Sequence, residues 1–124
     1  MMNIEQSSEI KFSLKNHRLK KNYDFKRVFL KGVSVANRFY VLYFIKKDLR
    51  RKTRIGFSVS KKVGNAYVRN RVKRIAREVI RKRVNEFEYG YDFVIIARVE
   101  SAQIGYDLSE QYLIQLLRKA RLIE

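Results

Sequence analysis

The most basic segment of the chain is residues 64–83, GNAYVRNRVKRIAREVIRKR, which contains one acidic residue, Glu78. Its apolar residues recur at helical spacing, which predicts an amphipathic helix that packs on a core through one side. The predicted core positions are Val68, Val72, Ile75, Ala76 and Val79. A chain with such a helix must also contain an apolar surface on which one side of the helix packs. The dense positive charge on the other side needs a separate explanation.

The charged side of this helix has two interpretations. A side that only aids solubility usually alternates in sign, because opposite charges one turn apart stabilise a helix and like charges destabilise it. Here cations follow one another at intervals of four, as from Arg69 to Lys73. Glu78 is expected to pair with Arg74 and Lys82 only. Contact with a phosphate backbone is therefore better supported, since arginine can grip phosphate through two hydrogen bonds.

The composition of the whole chain supports a polyanionic partner. Its 124 residues include 29 Lys plus Arg against 12 Asp plus Glu, a net charge of +17. Hydrophobic residues make up 46% of the chain, which excludes a disordered basic tail and predicts one folded domain. Such a charge repels itself, so nucleic acid is the expected partner, ahead of a membrane surface. Without cysteine or a long apolar run, the chain is expected to be cytoplasmic and to have no membrane partner.

The remaining segments predict short alternating elements. Residues 1–18 show no sustained periodicity and are expected to form a mobile N-terminal arm, with a single domain over residues 19–124. The expected elements are a helix from Asn22 to Gly32, two or three strands within 34–47 and 53–62, the basic helix, a buried strand over 91–99 and a helix over 107–123. This order, α-β-β-α-β-α, predicts a small α+β sandwich.

The strands before the basic helix suggest a second surface. The segment TRIGFSVSKK places Gly56, Ser58 and Ser60 on the side of its strand opposite the apolar residues. The preceding strand, RFYVLYFI, is apolar on both sides, so one side faces something other than a filled core. A groove with a serine floor and aromatic walls, which Phe25 and Phe29 could line, would suit unpaired bases. The alternative, that these aromatic side chains only pack the first helix on the sheet, stays equally open.

Lys61, Lys62, Gly64 and Asn65 lie directly before the basic helix. The free amides of a helix N-terminus and two ammonium groups would converge there, so this turn could bind phosphate. The segment lacks the Gly-Lys-Ser/Thr ending of a P-loop, however. An ordinary strand-to-helix turn explains the same residues.

The side chains offer no candidate for independent catalysis. Protein nucleases need histidine pairs, carboxylate clusters for metal ions or an activated nucleophile. The only histidine, His17, lies in the predicted arm. The carboxylates are expected to be scattered over separate elements, among them Asp24, Asp48, Glu78 and Asp92. We therefore expect no catalytic residue and no metal ligand in this chain.

Four stretches carry a family resemblance: RLKKNYDFKRVF, SVANRFYVLYF, GFSVSKKVGNAYVRNRVKRIARE and DFVIIAR. In this order and spacing, over about residues 18–122, they resemble the bacterial ribonuclease P protein subunit, and Arg69-Asn70-Arg71 is the most specific motif. The resemblance implies a protein that joins a catalytic RNA to remove the 5′ leader of precursor tRNA, with Mg²⁺ held mainly by the RNA. It also implies the order α-β-β-β-α-β-α with a left-handed β-α-β crossover, in the fold class of ribosomal protein S5 domain 2. General rules would not predict that hand.

The resemblance also assigns side chains to two surfaces. Those facing the catalytic RNA would be Lys61, Lys62, Asn65, Arg69, Asn70, Arg71, Lys73, Arg74 and Arg77. Those lining a cleft for the single-stranded leader would be Phe25, Phe29, Val41, Tyr43, Ser58 and Ser60. The pair Phe39-Tyr40 is a variation expected to add aromatic bulk before the cleft strand.

Two other functions stay open at this point. A general RNA-binding protein of ribosomal type would have the same charge, but it would not stimulate a catalytic RNA at low magnesium. An independent protein nuclease would cleave precursor tRNA by itself. The scarcity of histidine and of clustered acids argues against the nuclease.

Overall fold

The computed structural model describes residues 18–19 and 21–124. Apart from Arg18, the predicted arm lies outside the described residues, and so does His17. The helices and strands are α1 (Asn22–Lys31), β1 (Val33–Ala36), β2 (Tyr40–Lys46), β3 (Arg54–Ser58), α2 (Ala66–Arg81), β4 (Tyr91–Ala97) and α3 (Tyr106–Lys119). Short 3₁₀ turns lie at Lys61–Val63, Val84–Glu86 and Val99–Gln103. The order α-β-β-β-α-β-α implied by the resemblance is confirmed.

The four strands form one sheet in the order β1-β2-β4-β3. β2 pairs antiparallel with both β1 and β4, and Leu42 lies opposite Ile95. β3 pairs parallel with β4, and Arg54 lies opposite Asp92. Consequently β3, α2 and β4 form the expected β-α-β unit, with the basic helix as its crossover. The hand of this crossover stays a prediction.

The main core lies between one side of the sheet and the helices α2 and α3. The sheet contributes fully buried side chains such as Tyr40, Leu42 and Phe93. The stripe predicted for α2 is buried at Val72, Ala76 and Val79, together with Ile80, whereas Val68 and Ile75 are half-buried. Each large side chain buried in this way contributes about 1.5–3 kcal/mol. The apolar side of the basic helix is thus committed to the core, and its charged side faces away from the sheet.

The other side of the sheet is covered only in part, by α1. Val28 of α1 and Val94 of β4 are fully buried there, and Leu19 packs with them. The backbone amide of Leu19 donates a hydrogen bond of 2.8 Å to the carbonyl of Ile55, so the segment before α1 runs along the free edge of β3. Because α1 has ten residues, much of this side of the sheet is left without a covering helix.

Four charged side chains hold α1 on the sheet, and we call them the ion cluster: Asp24, Arg27, Arg54 and Asp92. Both carboxylates are 3% exposed. Arg54 Nη2 lies 3.2 Å from Asp24 Oδ1 and 2.8 Å from Asp92 Oδ2. Arg27 Nη2 lies 2.9 Å and 3.1 Å from the same two oxygens. The hydrogen bonds of Arg54 to Asp92, together with the charges of both acids, raise the pKa of Arg54 above its ordinary value. Asp24 and Asp92 lie on separate elements, as expected, but their shared pairing with Arg27 and Arg54 brings the two carboxylates together.

Candidate nucleic-acid interface

The basic helix α2 begins at a side-chain cap. Asn65 Oδ1 accepts a hydrogen bond of 3.0 Å from the backbone amide of Val68, as helix N-caps commonly do. Lys61 and Lys62 are exposed in the 3₁₀ turn just before it. The cap already uses one of the amides that an anion would need, while the two ammonium groups are accessible. Phosphate binding at this turn stays a prediction.

Two arginines of the predicted RNA-facing set are anchored to the protein itself. Arg69 Nη1 donates a hydrogen bond of 3.2 Å to the carbonyl of Gly64, at the start of the helix. Arg71 Nη2 donates to the carbonyl of Ala102, in the 3₁₀ turn after β4. Both side chains are half-buried, so they fix the position of α2 in addition to presenting their remaining N–H groups.

The most exposed members of the set on α2 are Asn70 and Arg74. Neither side chain makes a hydrogen bond or ion pair to the rest of the described chain. The expected pairing of Glu78 with Arg74 is wrong, because Glu78 pairs with Arg81 instead. Glu78 and Lys82 attract each other through their charges without forming a direct ion pair, and the Lys82 ammonium lies 4.8 Å from the centre of the Tyr106 ring. Within the part of the chain that the structure describes, no acidic side chain pairs with Arg74, and its side chain is exposed to an external anion.

Lys73 and Arg77 of α2 point toward the free edge of β3. The guanidinium carbon of Arg77 lies 5.9 Å from the centre of the Phe57 ring. Both cations line a cavity of about 100 Å³ at this edge. The other lining residues are Arg18, Leu19, Phe25, Ile55, Gly56 and Phe57. Arg18 was assigned to the arm by its sequence position, and no local pattern would have placed it here.

The predicted cleft residues lie on the side of the sheet that α1 only partly covers. Val41 and Tyr43 stand opposite Ile96 and Val94, so their side chains share one side of the sheet. All of the predicted strand residues keep accessible surface: Val41, Tyr43 and Ser58 are half-buried, and Ser60 is exposed beyond the end of β3. The strand register therefore places Ser58 on the same side of the sheet as Val41 and Tyr43, whereas Ser60 lies beyond the end of β3. Binding of a leader on this face stays a prediction.

The two phenylalanines of α1 form the wall of this face. Phe29 meets Tyr43 edge to face, with ring centroids 5.3 Å apart, and remains 38% exposed. Phe25 lies over Gly56, where an added Cβ would come within 2.5 Å of the ring. Both rings therefore pack α1 on the sheet, while part of the Phe29 ring remains exposed. A groove for unpaired bases stays a prediction.

Phe39 and Tyr40 lie on the opposite side of the sheet from this cleft. The Phe39 ring packs against Tyr112 with centroids 4.7 Å apart, and Tyr40 is 1% exposed in the main core. Burial raises the pKa of Tyr40, although a hydrogen bond with Ser109 and the charge of Arg71 oppose this shift. The expected extra bulk before the cleft strand is thus directed into the core, and the cleft does not contain it.

A second cavity, of about 390 Å³, opens where β3 and β4 end. Its lining residues are Ser60, Lys62, Val63, Ala97, Arg98, Val99 and Glu100. Ser60 and Lys62 come from the two predicted surfaces, so this end of the sheet joins them. Arg98, which follows the last strand directly, is a neighbouring cation that the sequence analysis did not select.

Comparison with known proteins decides the family. A family model described as Ribonuclease P matches residues 14–121. This chain belongs to the ribonuclease P protein family. Membership makes it a protein component of a ribonucleoprotein that processes tRNA, with the ribonuclease P RNA as its partner.

Individual members of the ribonuclease P protein family agree in sequence and fold. The Ribonuclease P protein component of Bacillus cereus (strain AH187) is 47% identical over 106 residues, which are 86% of this chain and 92% of the relative. The RNase P protein of Staphylococcus aureus is 36% identical, with a TM-score of 0.82 over 89% of this chain and 100% of that one. A S. aureus RNase P protein described as a mutant with defective mRNA degradation activity is 35% identical, with a TM-score of 0.82 over 94% and 100%.

Two absences concern the described residues of this ribonuclease P protein. None of the helices within 18–19 and 21–124 has both the length and the apolar character needed to cross a membrane. The same residues contain no group of three or more histidine, cysteine or acidic side chains that could hold a metal ion.

Proposed function

We propose that the chain binds the catalytic RNA of ribonuclease P through α2 and the single-stranded 5′ leader of precursor tRNA through the cleft beside α1. The observation that carries this proposal is the cavity at the free edge of β3. There Phe25 of the cleft wall and the α2 cations Lys73 and Arg77 line one space. A catalytic RNA on α2 and a leader in the cleft would therefore be held next to each other, in the cytoplasm where we place this reaction.

In this proposal the protein positions RNA. The cations of α2 would neutralise phosphates of the catalytic RNA, and the exposed part of the Phe29 ring would stack on a leader base. Holding substrate and catalyst in a fixed relation lowers the entropic part of the barrier. Mg²⁺, held mainly by the RNA, would supply the hydrolytic chemistry when bound. The paired carboxylates Asp24 and Asp92 do not fit a metal site, because their oxygens accept hydrogen bonds from Arg27 and Arg54.

The function is tested by cleavage of a precursor tRNA at low magnesium. Ribonuclease P RNA is assayed with and without the chain, and a control reaction contains the protein alone. We expect leader removal to be stimulated only when both are present. Tight RNA binding without stimulation would instead indicate a general RNA-binding protein.

The control reaction that contains the protein alone also tests for a nuclease activity of the chain. Because one S. aureus relative is described as a mutant with defective mRNA degradation activity, this control reaction includes an mRNA fragment as a second substrate. Cleavage of either substrate without the catalytic RNA would contradict the positioning role proposed here. We expect no cleavage of either.

Replacing Phe29 by Ala tests the leader cleft. Its ring is 38% exposed, and base stacking on an aromatic ring is worth about 1–3 kcal/mol. We expect Phe29→Ala to weaken binding of precursor tRNA to the assembled ribonucleoprotein about tenfold or more, and to leave binding of mature tRNA, which lacks the leader, unchanged.

The matched control is Leu30→Ala, on the same helix. Leu30 is 82% exposed and does not belong to the apolar cluster beneath α1. The ribonucleoprotein assembled with Leu30→Ala should bind precursor and mature tRNA as tightly as the one assembled with the unchanged protein. Equal losses for precursor and mature tRNA with Phe29→Ala would exclude a leader-specific role of the cleft.

A further inference from the structure

The outward ridge of α2 contains an aromatic side chain that the two predicted surfaces do not include. At about 100° per residue, Tyr67, Asn70 and Arg74 lie at spacings of three and four, on the side opposite the buried Val72 and Ala76. Tyr67 is 77% exposed, which makes it the most accessible aromatic residue in the described part of the chain. Its hydroxyl makes no hydrogen bond to another described residue.

A single exposed aromatic residue is common on protein surfaces and needs no explanation by itself. The position of Tyr67 beside residues assigned to RNA binding is what indicates a role for it. Asn70 and Arg74, which follow Tyr67 on the ridge, are the most exposed polar side chains of α2 in the set assigned to RNA. Asn65 precedes it by two residues as the helix cap. RNA that contacts Asn70 and Arg74 along this ridge would come within reach of the Tyr67 ring.

We propose that Tyr67 is a base-stacking residue, on which an unpaired nucleobase of the catalytic RNA lies while Arg74 contacts a nearby phosphate. This inference rests on the proposed binding of RNA by α2 and names the part of the RNA that is held there. Paired bases of an A-form helix do not present their faces to a protein, so the ligand is a nucleotide in a loop, bulge or unpaired strand. Stacking on an aromatic face tolerates any base, so the site selects for unpaired structure more than for sequence.

The first test uses fluorescence, because the chain contains no tryptophan. In Tyr67→Trp, the new indole is the only tryptophan, and stacking on a base should quench its emission when catalytic RNA is added. The control is Tyr89→Trp. Tyr89 is 53% exposed in the turn before β4, at the opposite end of the β-α-β unit from the start of α2. Quenching at position 67 and little change at 89 is the expected result, whereas equal responses in two binding-competent variants would overturn the proposal.

The second test uses affinity for the catalytic RNA. Tyr67→Ala should weaken binding about 5- to 100-fold, and Tyr67→Phe should stay within about twofold of the unchanged protein. Tyr67→Leu, which keeps apolar bulk without a ring, should behave like the Ala variant. Because Ala favours a helix more than Tyr does, loss of helix would not explain the result, and circular dichroism checks this point.

The outcomes separate this inference from the proposed function. If the unchanged protein fails to bind and stimulate the catalytic RNA, both are overturned. If the unchanged protein binds and stimulates but Tyr67→Ala binds within about twofold of it, only the stacking role of Tyr67 is overturned.

Discussion

Replacing Asp92 by Asn is expected to lower the free energy of unfolding by about 3 kcal/mol, measured by urea denaturation. Asp92 is 3% exposed and accepts hydrogen bonds from Arg54 Nε at 3.0 Å and from Arg54 Nη2 at 2.8 Å. Arg27 Nη2 and Lys47 Nζ approach the same carboxylate at 3.1 Å and 3.8 Å. The amide keeps the shape of the acid but leaves three cations beside one remaining carboxylate, Asp24. Breaking a buried ion pair from one side costs more than the pair itself contributes.

Asp48→Asn is the matched control for this substitution. Asp48 also interacts with two arginines, since Arg50 Nε and Arg51 Nε lie 3.2 Å and 3.8 Å from its carboxylate oxygens. Those guanidinium groups are largely exposed, so water can solvate them when the substitution removes the charge of Asp48. We expect the urea midpoint of Asp48→Asn to stay close to that of the unchanged protein. A similar small change for Asp92→Asn would show that the ion cluster does not secure α1.

Replacing Arg74 and Arg77 together by Gln is expected to weaken binding of the catalytic RNA about 100-fold. Arg74 has no partner among the described residues and Arg77 lies at the β3 edge over Phe57, so both can reach phosphates. Hydrogen bonds to charged groups contribute about 1.5–3 kcal/mol each. The slope of log affinity against log salt should also become shallower by about 1–2 units, because fewer counterions are released.

The control for this pair changes the same charge elsewhere. Arg118→Gln with Lys119→Gln removes two exposed cations from the last turn of α3, and the net charge falls equally. If binding depends on where the cations lie, this variant should bind almost normally. Equal losses from both double variants would mean that the overall charge of the protein, and not the surface of α2, governs RNA binding.

The sequence predicted best the features that depend on local repeats. The spacing in α2 predicted the burial of Val72, Ala76 and Val79, because a helix that packs through one side fixes which residues are inside. The two-residue repeat of β3 likewise placed Gly56 and Ser58 on the face toward α1. The composition alone did not separate β1 from β2, since both lie in one stretch of β-branched and aromatic residues.

The features that the sequence did not predict depend on long-range packing or on a choice between near neighbours. Asp24 and Asp92 come together only because α1 packs on β2 and β4 and Arg54 of β3 pairs with both acids, and no local pattern encodes that arrangement. Glu78 can reach cations three or four residues away, and the side-chain rotamers in the fold select Arg81. The direction of the Phe39 ring into the core was likewise not visible from its position before a strand.

The cavity beside β3 has a consequence for how two RNA strands could share this protein. β3 is the outermost strand on its side of the sheet, and the backbone of Arg18 and Leu19 pairs with its outer edge at Ile55. A sheet is a single layer of strands, so its two faces meet at this outer edge. In the proposed function, a catalytic RNA on α2 and a leader in the cleft would therefore approach each other across this edge, where Phe25, Lys73 and Arg77 line one cavity. On that proposal, the edge of β3 would set the distance between two separate RNA molecules.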